Sequence, residues 1–379
     1  MKPCAVVSHP PFGVLGGGET VAAWTLQALV RDYEVTMLCR DPVDFAAIDE
    51  RFGTALRAEP VRVATWPGWM RRAHRLWPGE GDRWRHLFQE RCLQRLARGG
   101  RVAAWVSTFN ESRLPAAGLQ YVHFPAGDGA EGWAGRFYER IVDSLRGGNL
   151  AGPEAHRTLV NSRFTAAAWQ AAHGRPAEVV YPPVPRLASG RAWSEREEHR
   201  MICLGRLLPG KGIERAARIV AGVRERGVTL TLAVVGGWCC SWRERRRMEQ
   251  ALGGLAWIEW RGELPRAQLA ALAAGSRYGL HGMVAEPFGI AVAELQAAGC
   301  VIFAPAEGGP AEILDEPGQL YADKDDAVEK ILAVVCSAER QAALHARARA
   351  RADRFAPERF VAAIRARVRA MTGDAGGGR

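Results

Sequence analysis

The sequence predicts an α/β protein built from two parallel, doubly wound sheets, one in each half of the chain. Short apolar runs alternate with helical stretches along nearly the whole sequence. This alternation is interrupted at Pro182-Pro183-Val184-Pro185 and restarts with the apolar run Met201–Leu204. The length of 379 residues fits two domains of roughly 100–200 residues each. We therefore expect two Rossmann-like domains of similar size.

The first half begins with a strand at Ala5–Ser8, a glycine-rich loop from Gly13 to Gly18 and a helix over Glu19–Val30. Later elements continue the alternation. Predicted strands are Glu34–Cys39, Val61–Ala64, Val102–Ser107, Tyr121–Phe124, Thr158–Val160 and Glu178–Tyr181, and predicted helices are Arg136–Leu145 and a helix capped by Asn161 or Ser162 that ends at Ala172. Three prolines in four residues cannot continue a regular element, so a stiff connection follows.

The second half repeats the pattern. Predicted strands are Met201–Leu204, Leu230–Val235, Trp257–Trp260, Tyr278–His281 and Cys300–Ala304, and predicted helices are Ile213–Arg226, Arg266–Ala274, Gly289–Ala298, Ala327–Val335 and Gln341–Ala370 with a break at Pro357. We place a first domain at 1–185, a linker at 186–197, a second domain at 198–356 and a C-terminal helix at 357–372 that returns to the first domain. Two such domains would face a central cleft at the carboxyl ends of their strands.

Composition and charge exclude several classes of protein. With 48% hydrophobic and 24% charged residues the chain is not disordered, and no apolar stretch reaches the roughly 18 residues of a membrane-spanning helix. The net charge of +10 permits anionic partners, but no nucleic-acid-binding module is recognisable. The eight cysteines show no spacing typical of metal ligands. We expect a cytoplasmic protein, with a peripheral place at the inner face of the membrane as an alternative.

The segment from Gly205 to Gly212 lies between a predicted strand and a predicted helix, where free backbone N–H groups bind anions. Arg206 and Lys211 would add two positive charges to such a site. The first seven residues match a P-loop, but Gly212 stands where Ser or Thr would hold magnesium. A P-loop-like NTPase, or a surface turn with two solvated cations, are therefore the alternatives to a simple anion site.

Two carboxylates separated by seven residues form a second motif. Glu286 lies in a loop before a predicted helix, and Glu294 lies a little over one turn inside that helix. Gly289 between them would let a ligand approach the free N–H groups of the helix closely. A carboxylate accepts hydrogen bonds from sugar hydroxyls, whereas an unpaired buried carboxylate is costly. A structural salt bridge is the alternative explanation for Glu294 alone.

Together these motifs resemble glycosyltransferase family 4, whose members are retaining, nucleotide-sugar-dependent enzymes with the two-domain GT-B fold. The matching segments occur in both halves and in the order of the family. They are Gly205-Arg206-Leu207 with Lys211-Gly212, Glu286 with Glu294, Gly308–Ile313, Gly16–Glu19, Tyr121–Pro125, and Asn161–Thr165 before Val179–Val184. The N-terminal motifs are most similar to dolichol-pathway mannosyltransferase-like enzymes. Residues 40–115 show only a general α/β pattern.

The resemblance implies a role for each matching residue. Its catalytic residues would be His123, Arg206, Lys211 and Glu286, and its donor-binding residues would be Gly17, Gly18, Arg206, Lys211, Glu286, Phe288, Gly289, Ile290 and Glu294. Arg206 and Lys211 would hold the diphosphate, and Glu294 the ribose. Glu286 and the backbone of 288–290 would hold the transferred sugar. A loop with Gly17 and Gly18 would close over the phosphates. His123 would face the sugar, although without the resemblance a single histidine after an apolar run indicates a core residue.

The implied reaction moves a hexosyl unit from a nucleoside diphosphate sugar to an acceptor hydroxyl with retention of configuration. Neither a metal nor a cofactor is expected, because cationic side chains and helix N-termini would stabilise the charge on the departing diphosphate. Asp323, Asp325 and Asp326 lie before the predicted helix at Ala327 and are expected to interact with its dipole instead of binding metal. The acceptor would be a lipid-linked glycan or a small-molecule aglycone. A nucleotide-binding protein without transfer activity is the alternative to the enzyme.

The segment 66–101, called the basic segment below, has nine arginines and three acidic residues. Between Asp82 and Arg98 an apolar stripe repeats at helical spacing. The stripe consists of Trp84, Leu87, Phe88, Cys92 and Leu96. A basic amphipathic helix with tryptophan can make peripheral contact with an anionic membrane. An ordinary packed helix with an arginine-rich outer face is the alternative, and the pattern slightly favours it.

Overall fold

The structure is a computed structural model that describes residues 2–10, 12, 16–76, 81–125, 150–187 and 191–373, without the side chains of 81–84. The helix predicted at Arg136–Leu145 lies outside these residues. The chain divides into two compact units. The first consists of Met1–Pro183 and Pro357–Arg379, and the second of Val184–Ala356.

Strands and helices alternate in the first unit as the sequence predicts. Its elements up to Pro183 are β1 (Cys4–Ser8), α1 (Gly17–Leu29), β2 (Glu34–Cys39), α2 (Phe45–Phe52), β3 (Arg62–Thr65), α3 (Gly68–Leu76), α4 (Gly81–Arg98), β4 (Ala104–Ser107), β5 (Leu119–Val122), β6 (Arg157–Val160), α5 (Arg163–His173) and β7 (Glu178–Val179). The described strands form a parallel sheet in the order β3-β2-β1-β4-β5-β6-β7. In the centre, Ala5 of β1 lies opposite Val35 of β2 and Ala104 of β4. Both edges of this apolar strand are therefore paired.

The second unit repeats the architecture with its own core. Its elements are β8 (Glu197–Leu204), α6 (Ile213–Glu225), β9 (Thr231–Val235), α7 (Trp242–Leu252), β10 (Ile258–Gly262), α8 (Arg266–Gly275), β11 (Ser276–Leu280), α9 (Ile290–Ala297), β12 (Val301–Pro305), α10 (Pro310–Leu314), β13 (Leu320–Tyr321), α11 (Lys324–Val335) and α12 (Ala338–Ala350). The described strands form a parallel sheet in the order β10-β9-β8-β11-β12-β13. Because β8 and β11 are adjacent in the middle, the loops that follow them begin at the same edge.

The last helix, α13 (Pro357–Thr372), belongs to the first unit and packs on α1. Phe360, Ile364 and Val368 are buried at a spacing of four residues, which is one face of a helix. On the same helix, Arg365 donates two hydrogen bonds to the carboxylate of Asp32, at 2.9 and 3.0 Å. An apolar stripe and an ion pair thus attach α13 to the first unit.

The division between the units falls at Pro183 and Val184, before the segment 186–197 that was expected to be a linker. Within that segment Leu187 and Arg196 are buried. The Arg196 guanidinium donates to the carbonyl oxygens of Ser276 and Ala298, at 3.2 and 2.7 Å. These residues therefore pack in the second unit.

The described side chains of the apolar stripe in the basic segment pack in the interior of the first unit. Leu87, Phe88 and Cys92 belong to a buried cluster that also contains Trp66, and their side chains are at most 6% exposed. The Trp66 indole donates to Gln89 Oε1 at 2.6 Å. This arrangement favours the packed helix over membrane contact through 66–101; Trp77 and the side chain of Trp84 lie outside the described residues. No helix in the described part of the chain is long and apolar enough to cross a membrane.

Candidate functional site

The loop between β8 and α6 has a backbone that requires glycine. Gly210 and Gly212 have φ angles of 88° and 76°, in the left-handed region. A Cβ on Gly212 would lie 2.1 Å from the carbonyl group of Gly282, the second residue after β11. The Ser or Thr of a P-loop therefore has no room at position 212. This observation disfavours the NTPase alternative.

Lys211 and Glu286 form an ion pair in the second unit. Lys211 Nζ lies 2.8 Å from Glu286 Oε2, and the two side chains are 21% and 14% exposed. Nε2 of His281, the first residue after β11, lies 3.4 Å from the same oxygen. Burial alone would raise the pKa of Glu286, but the His281 imidazole and the Lys211 ammonium outweigh it and lower this pKa to about 2. Glu286 is thus ionised at neutral pH.

A third motif, the segment Gly308–Ile313, holds the backbone of Glu286 in place. Gly309 donates its N–H to the Glu286 carbonyl oxygen at 2.8 Å, and Gly308 pairs with Glu286 as a parallel β-bridge. Gly308 has a φ of 117°, and a Cβ on it would lie 2.7 Å from the Glu286 carbonyl oxygen. Three segments far apart in sequence, 205–212, 281–289 and 308–309, are therefore in contact around one ion pair.

The remaining predicted donor-binding residues of this unit lie on α9 and on the loop after β8. Phe288 is buried and packs edge-to-face on Phe355, with ring centroids 5.2 Å apart. Gly289 caps the start of α9 with a φ of 98°, and Ile290 is the first helical residue. Glu294 is half-buried one turn further along. Arg206 follows Gly205 with an exposed side chain, and its guanidinium forms no ion pair with a described residue.

In the first unit, His123 lies directly after β5, which ends at Val122, two residues before the predicted end of that strand. Its N–H donates to Asn110 Oδ1 at 2.8 Å, and its carbonyl oxygen accepts from Asn161 Nδ2 at 2.7 Å. Nε2 lies 3.0 Å from the Thr108 carbonyl oxygen, which can only accept, so Nε2 carries the hydrogen. Burial lowers the pKa of His123 to about 4. The imidazole is therefore neutral at pH 7, with Nδ1 as its acceptor.

Gly17 and Gly18 lie in the first turn of α1, so the prediction that they belong to a loop is wrong. The helix begins two residues before the predicted Glu19, because the Glu19 carboxylate accepts the Gly16 N–H at 3.0 Å and stabilises an earlier start. A Cβ on Gly18 would lie 3.6 Å from Nε2 of His123, an ordinary contact distance. Residues 13–15 of the predicted loop lie outside the described residues.

Acidic residues lie at the start of α11, as predicted, and Asp323 caps the helix. The Asp323 carboxylate accepts the N–H groups of Asp325 and Asp326, both at 3.0 Å. Among the described residues, no group of three or more His, Cys, Asp or Glu side chains is placed to hold a metal ion. Whether the protein uses a metal stays a prediction of the sequence.

Sequence reasoning missed His281. It was predicted only as the end of a strand, because a single histidine after an apolar run belongs to no motif. The available signal was its position at the carboxyl end of a central parallel strand, where ligand-binding residues of α/β proteins lie.

Comparison with known proteins agrees with this geometry. Residues 191–351 match the family described as glycosyl transferases, group 1. The matched segment contains Lys211 and Glu286. It also contains the glycines that shape the loops around them, Gly210, Gly212, Gly308 and Gly309. It covers most of the second unit and less than half of the chain.

Curated relatives include human GDP-Man:Man(3)GlcNAc(2)-PP-Dol alpha-1,2-mannosyltransferase, 26% identical over 245 residues, which are 56% of this chain and 48% of that protein. The protein of the same name from Dictyostelium discoideum is 27% identical over 238 residues, 56% of this chain and 46% of that protein. The chain thus spans about half the length of the curated relatives it matches.

Solved structures resemble almost the entire chain. HepE of Anabaena, crystallised with UDP and glucose, has a TM-score of 0.65 at 15% identity and covers 96% of this chain and 97% of its own. WaaG, a glycosyltransferase involved in lipopolysaccharide biosynthesis, has a TM-score of 0.64 at 15% identity, with 97% and 100% covered. The predicted fold class, two parallel-sheet α/β domains of the GT-B type, is confirmed. The family match and the curated relatives support a glycosyltransferase.

Proposed function

We propose that the protein is a retaining, metal-independent hexosyltransferase of the family 4 type that uses a nucleoside diphosphate sugar. The observation that carries the proposal is the meeting of three motif segments around the Lys211–Glu286 pair, within the segment matched to group 1 glycosyl transferases. In this proposal, Lys211 and Arg206 bind the diphosphate and Glu286 binds the sugar. Glu294 binds the ribose.

The chemistry follows from where charge develops. The bond between the anomeric carbon and the phosphate oxygen breaks, and negative charge grows on that oxygen. Lys211 donates one N–H to Glu286 and one to Met283 Sδ, which leaves the third to donate to the diphosphate. The N-termini of α6 and α9 add free backbone N–H groups with positive dipole ends. The acceptor hydroxyl attacks from the side of the departing diphosphate, and its proton passes to the departing phosphate oxygen.

The first unit contributes His123, Gly17 and Gly18 on the strength of the resemblance alone. A neutral His123 that accepts through Nδ1 suits a sugar or acceptor hydroxyl, which donates a hydrogen bond. We further propose a lipid-linked glycan as acceptor, because curated relatives are named for a dolichol-linked one. A cytoplasmic location is part of the same proposal.

A thermal-shift screen tests the donor. GDP-mannose and UDP-glucose come first, since the curated relatives are named for GDP-Man and HepE was crystallised with UDP and glucose. A donor present at 100 times its dissociation constant stabilises the folded state by about 2.7 kcal/mol. A screen in which no sugar nucleotide raises the melting temperature at millimolar concentration rejects the donor class.

Transfer assays with EDTA test the mechanism. Lys211→Ala is expected to lower transfer or donor hydrolysis by about 10²–10³, because it removes a donor to the departing diphosphate. Lys330→Ala is the matched control: it removes a lysine paired with Asp326 at 2.9 Å and of similar exposure, away from the motifs. Loss of transfer on adding EDTA would contradict metal independence, and magnesium-dependent ATP turnover would favour the NTPase.

A further inference from the structure

His281 is a buried histidine of the second unit whose backbone N–H and carbonyl oxygen both form hydrogen bonds. Its N–H donates to the Phe303 carbonyl oxygen at 2.9 Å, and its carbonyl oxygen accepts the Tyr321 hydroxyl at 2.5 Å. Burial raises the pKa of Tyr321, so the hydroxyl stays protonated and keeps donating. With 8% of its surface exposed, His281 has little freedom to move away from Glu286.

Two groups share one oxygen of Glu286. Lys211 Nζ and His281 Nε2 both approach Oε2, at 2.8 and 3.4 Å. Oε1 has no hydrogen bond or ion pair with any residue that the structure describes. The two carboxylate oxygens are therefore unequal: one faces two protein groups, and the other is available to a ligand.

The chemistry of the pair defines what His281 offers. Glu286 is ionised at neutral pH and can only accept, so Nε2 of His281 has to carry a hydrogen to interact favourably. At 3.4 Å, Nε2 lies within ion-pair distance of Oε2 but beyond an aligned N–H···O bond of about 2.9 Å, and it forms no hydrogen bond with a described residue. It adds to the stronger Lys211 contact and restrains rotation of the carboxylate.

We propose that His281 is a positioning residue: together with Lys211 it holds Oε2 of Glu286, so that Oε1 accepts a hydroxyl of the sugar in the donor. The inference rests on the proposed function, since it requires a sugar nucleotide at Glu286. It assigns the recognition of the sugar, as distinct from the nucleoside diphosphate, to a triad of Lys211, His281 and Glu286. A histidine that merely fills space is the competing explanation.

Binding of GDP-mannose and of GDP, measured by calorimetry on the full chain, separates the two explanations. His281→Phe keeps most of the bulk but has no N–H, whereas His281→Gln keeps an N–H at about the reach of Nε2. We expect the phenylalanine variant to bind GDP-mannose about 10-fold more weakly and GDP unchanged. The glutamine variant should bind GDP-mannose within about threefold of the wild type. If another donor stabilises the protein in the thermal-shift screen, that donor and its nucleoside diphosphate replace GDP-mannose and GDP in the calorimetry.

Each other outcome has a definite meaning. Equal weakening of GDP and GDP-mannose, or no change in either, overturns the positioning role while leaving the proposed function intact. Failure of the wild type to bind any sugar nucleotide overturns the proposed function, and this inference falls with it. Should His281→Phe not fold, His281→Asn, whose amide is too short to reach Glu286, is expected to show the same selective loss for the sugar nucleotide.

Discussion

The backbones of Gly212 and Gly282 are in direct contact. A Cβ on Gly212 would lie 2.1 Å from the Gly282 carbonyl, and a Cβ on Gly282 would lie 2.0 Å from the Gly212 carbonyl oxygen. This contact joins the loops that follow two adjacent central strands, β8 and β11. Lys211 and His281 are the neighbours of these glycines in sequence, so the close approach places both side chains beside Glu286.

Gly212→Ser is predicted to disrupt the site, although it completes the P-loop consensus. A side chain at a φ of 76° costs about 1–3 kcal/mol, and its Cβ would also overlap the Gly282 backbone. We expect the second unit to lose more than about 3 kcal/mol of unfolding free energy, from the two effects together. Urea unfolding monitored by tryptophan fluorescence measures this loss, and donor binding should disappear with it.

Gly210→Ala is the matched control for that substitution. Gly210 also has a positive φ, 88°, but nothing lies within 4 Å of the position of its Cβ. Only the conformational cost of about 1–3 kcal/mol is expected. Equal losses in the two variants would show that the contact with Gly282 is not what restricts position 212.

The sequence predicted the residues of the site that belong to spaced motifs, and missed the one defined only by tertiary contact. Lys211 and Glu286 are recognisable because glycines and helix starts surround them. His281 has Gly282 beside it but belongs to no spaced motif, and its relation to Glu286 depends on how the loop after β11 turns. The pairing of Lys211 with Glu286 likewise joins residues far apart in the chain, so local patterns contain no information about it.

Leu87→Ala is predicted to destabilise the first unit. Leu87 of the basic segment is 2% exposed in the buried cluster with Trp66, and truncating a buried leucine costs about 2–5 kcal/mol. Leu76→Ala, at a leucine that is 81% exposed on α3, should change stability by less than about 0.5 kcal/mol. Chemical denaturation of both variants measures the difference. A stable Leu87→Ala protein with reduced binding to anionic vesicles would restore the membrane explanation.

Strands and long helices of the fold were predictable, whereas short helices and exact ends were not. β2 agrees with its predicted bounds, because an apolar run flanked by polar residues defines it. α2 was missed since it has only eight residues and two buried positions. α7 was missed because it is rich in arginine, although Ser241 and Glu244 form a capping box that signals its start.

His123→Gln is predicted to reduce the loss of unfolding free energy that the protein shows as the pH falls from 6.5 to 4. The pKa of His123 is lowered to about 4 in the folded protein, against about 6.5 when unfolded, so the unfolded state binds more protons between these values. The stabilisation is present above pH 6.5 and is lost as the pH falls to 4. Wild type should lose about 2–3 kcal/mol more than the variant over this range.

Melting temperatures of both proteins between pH 7.5 and pH 4 test this prediction. Histidines other than His9, whose charge acts on His123, contribute equally to wild type and variant, so the difference isolates His123 and its coupling to His9. His199→Gln, at an exposed histidine of the second unit, is the control and should follow the wild-type profile. Parallel profiles for wild type and His123→Gln would contradict the lowered pKa.

Two ion-pair groups attach α13 to the first unit. Asp32 accepts from Arg365, and also from Arg369 at 2.8 Å, while Arg367 pairs with Glu178. The hydrogen bonds from Arg365, with smaller effects from Arg369, lower the pKa of Asp32 to about 2 against an opposing effect of burial. Asp32 is thus ionised well below the pH at which an unfolded aspartate takes up a proton.

Asp32→Asn is therefore predicted to destabilise the protein at neutral pH and to matter less in acid. A lowered pKa stabilises the folded state above about pH 3.9, and the stabilisation is lost as the pH falls towards 2. We expect a loss of about 1–2 kcal/mol at pH 7, shrinking below pH 4, measured from urea unfolding at both pH values. Asp41→Asn, which removes a partly exposed pair with the adjacent Arg40, should cost less than about 1 kcal/mol throughout. A loss at Asp32 that stays constant from pH 7 to pH 2.5 would mean that the substitution acts through packing of α13, since only the ionic contribution disappears on protonation.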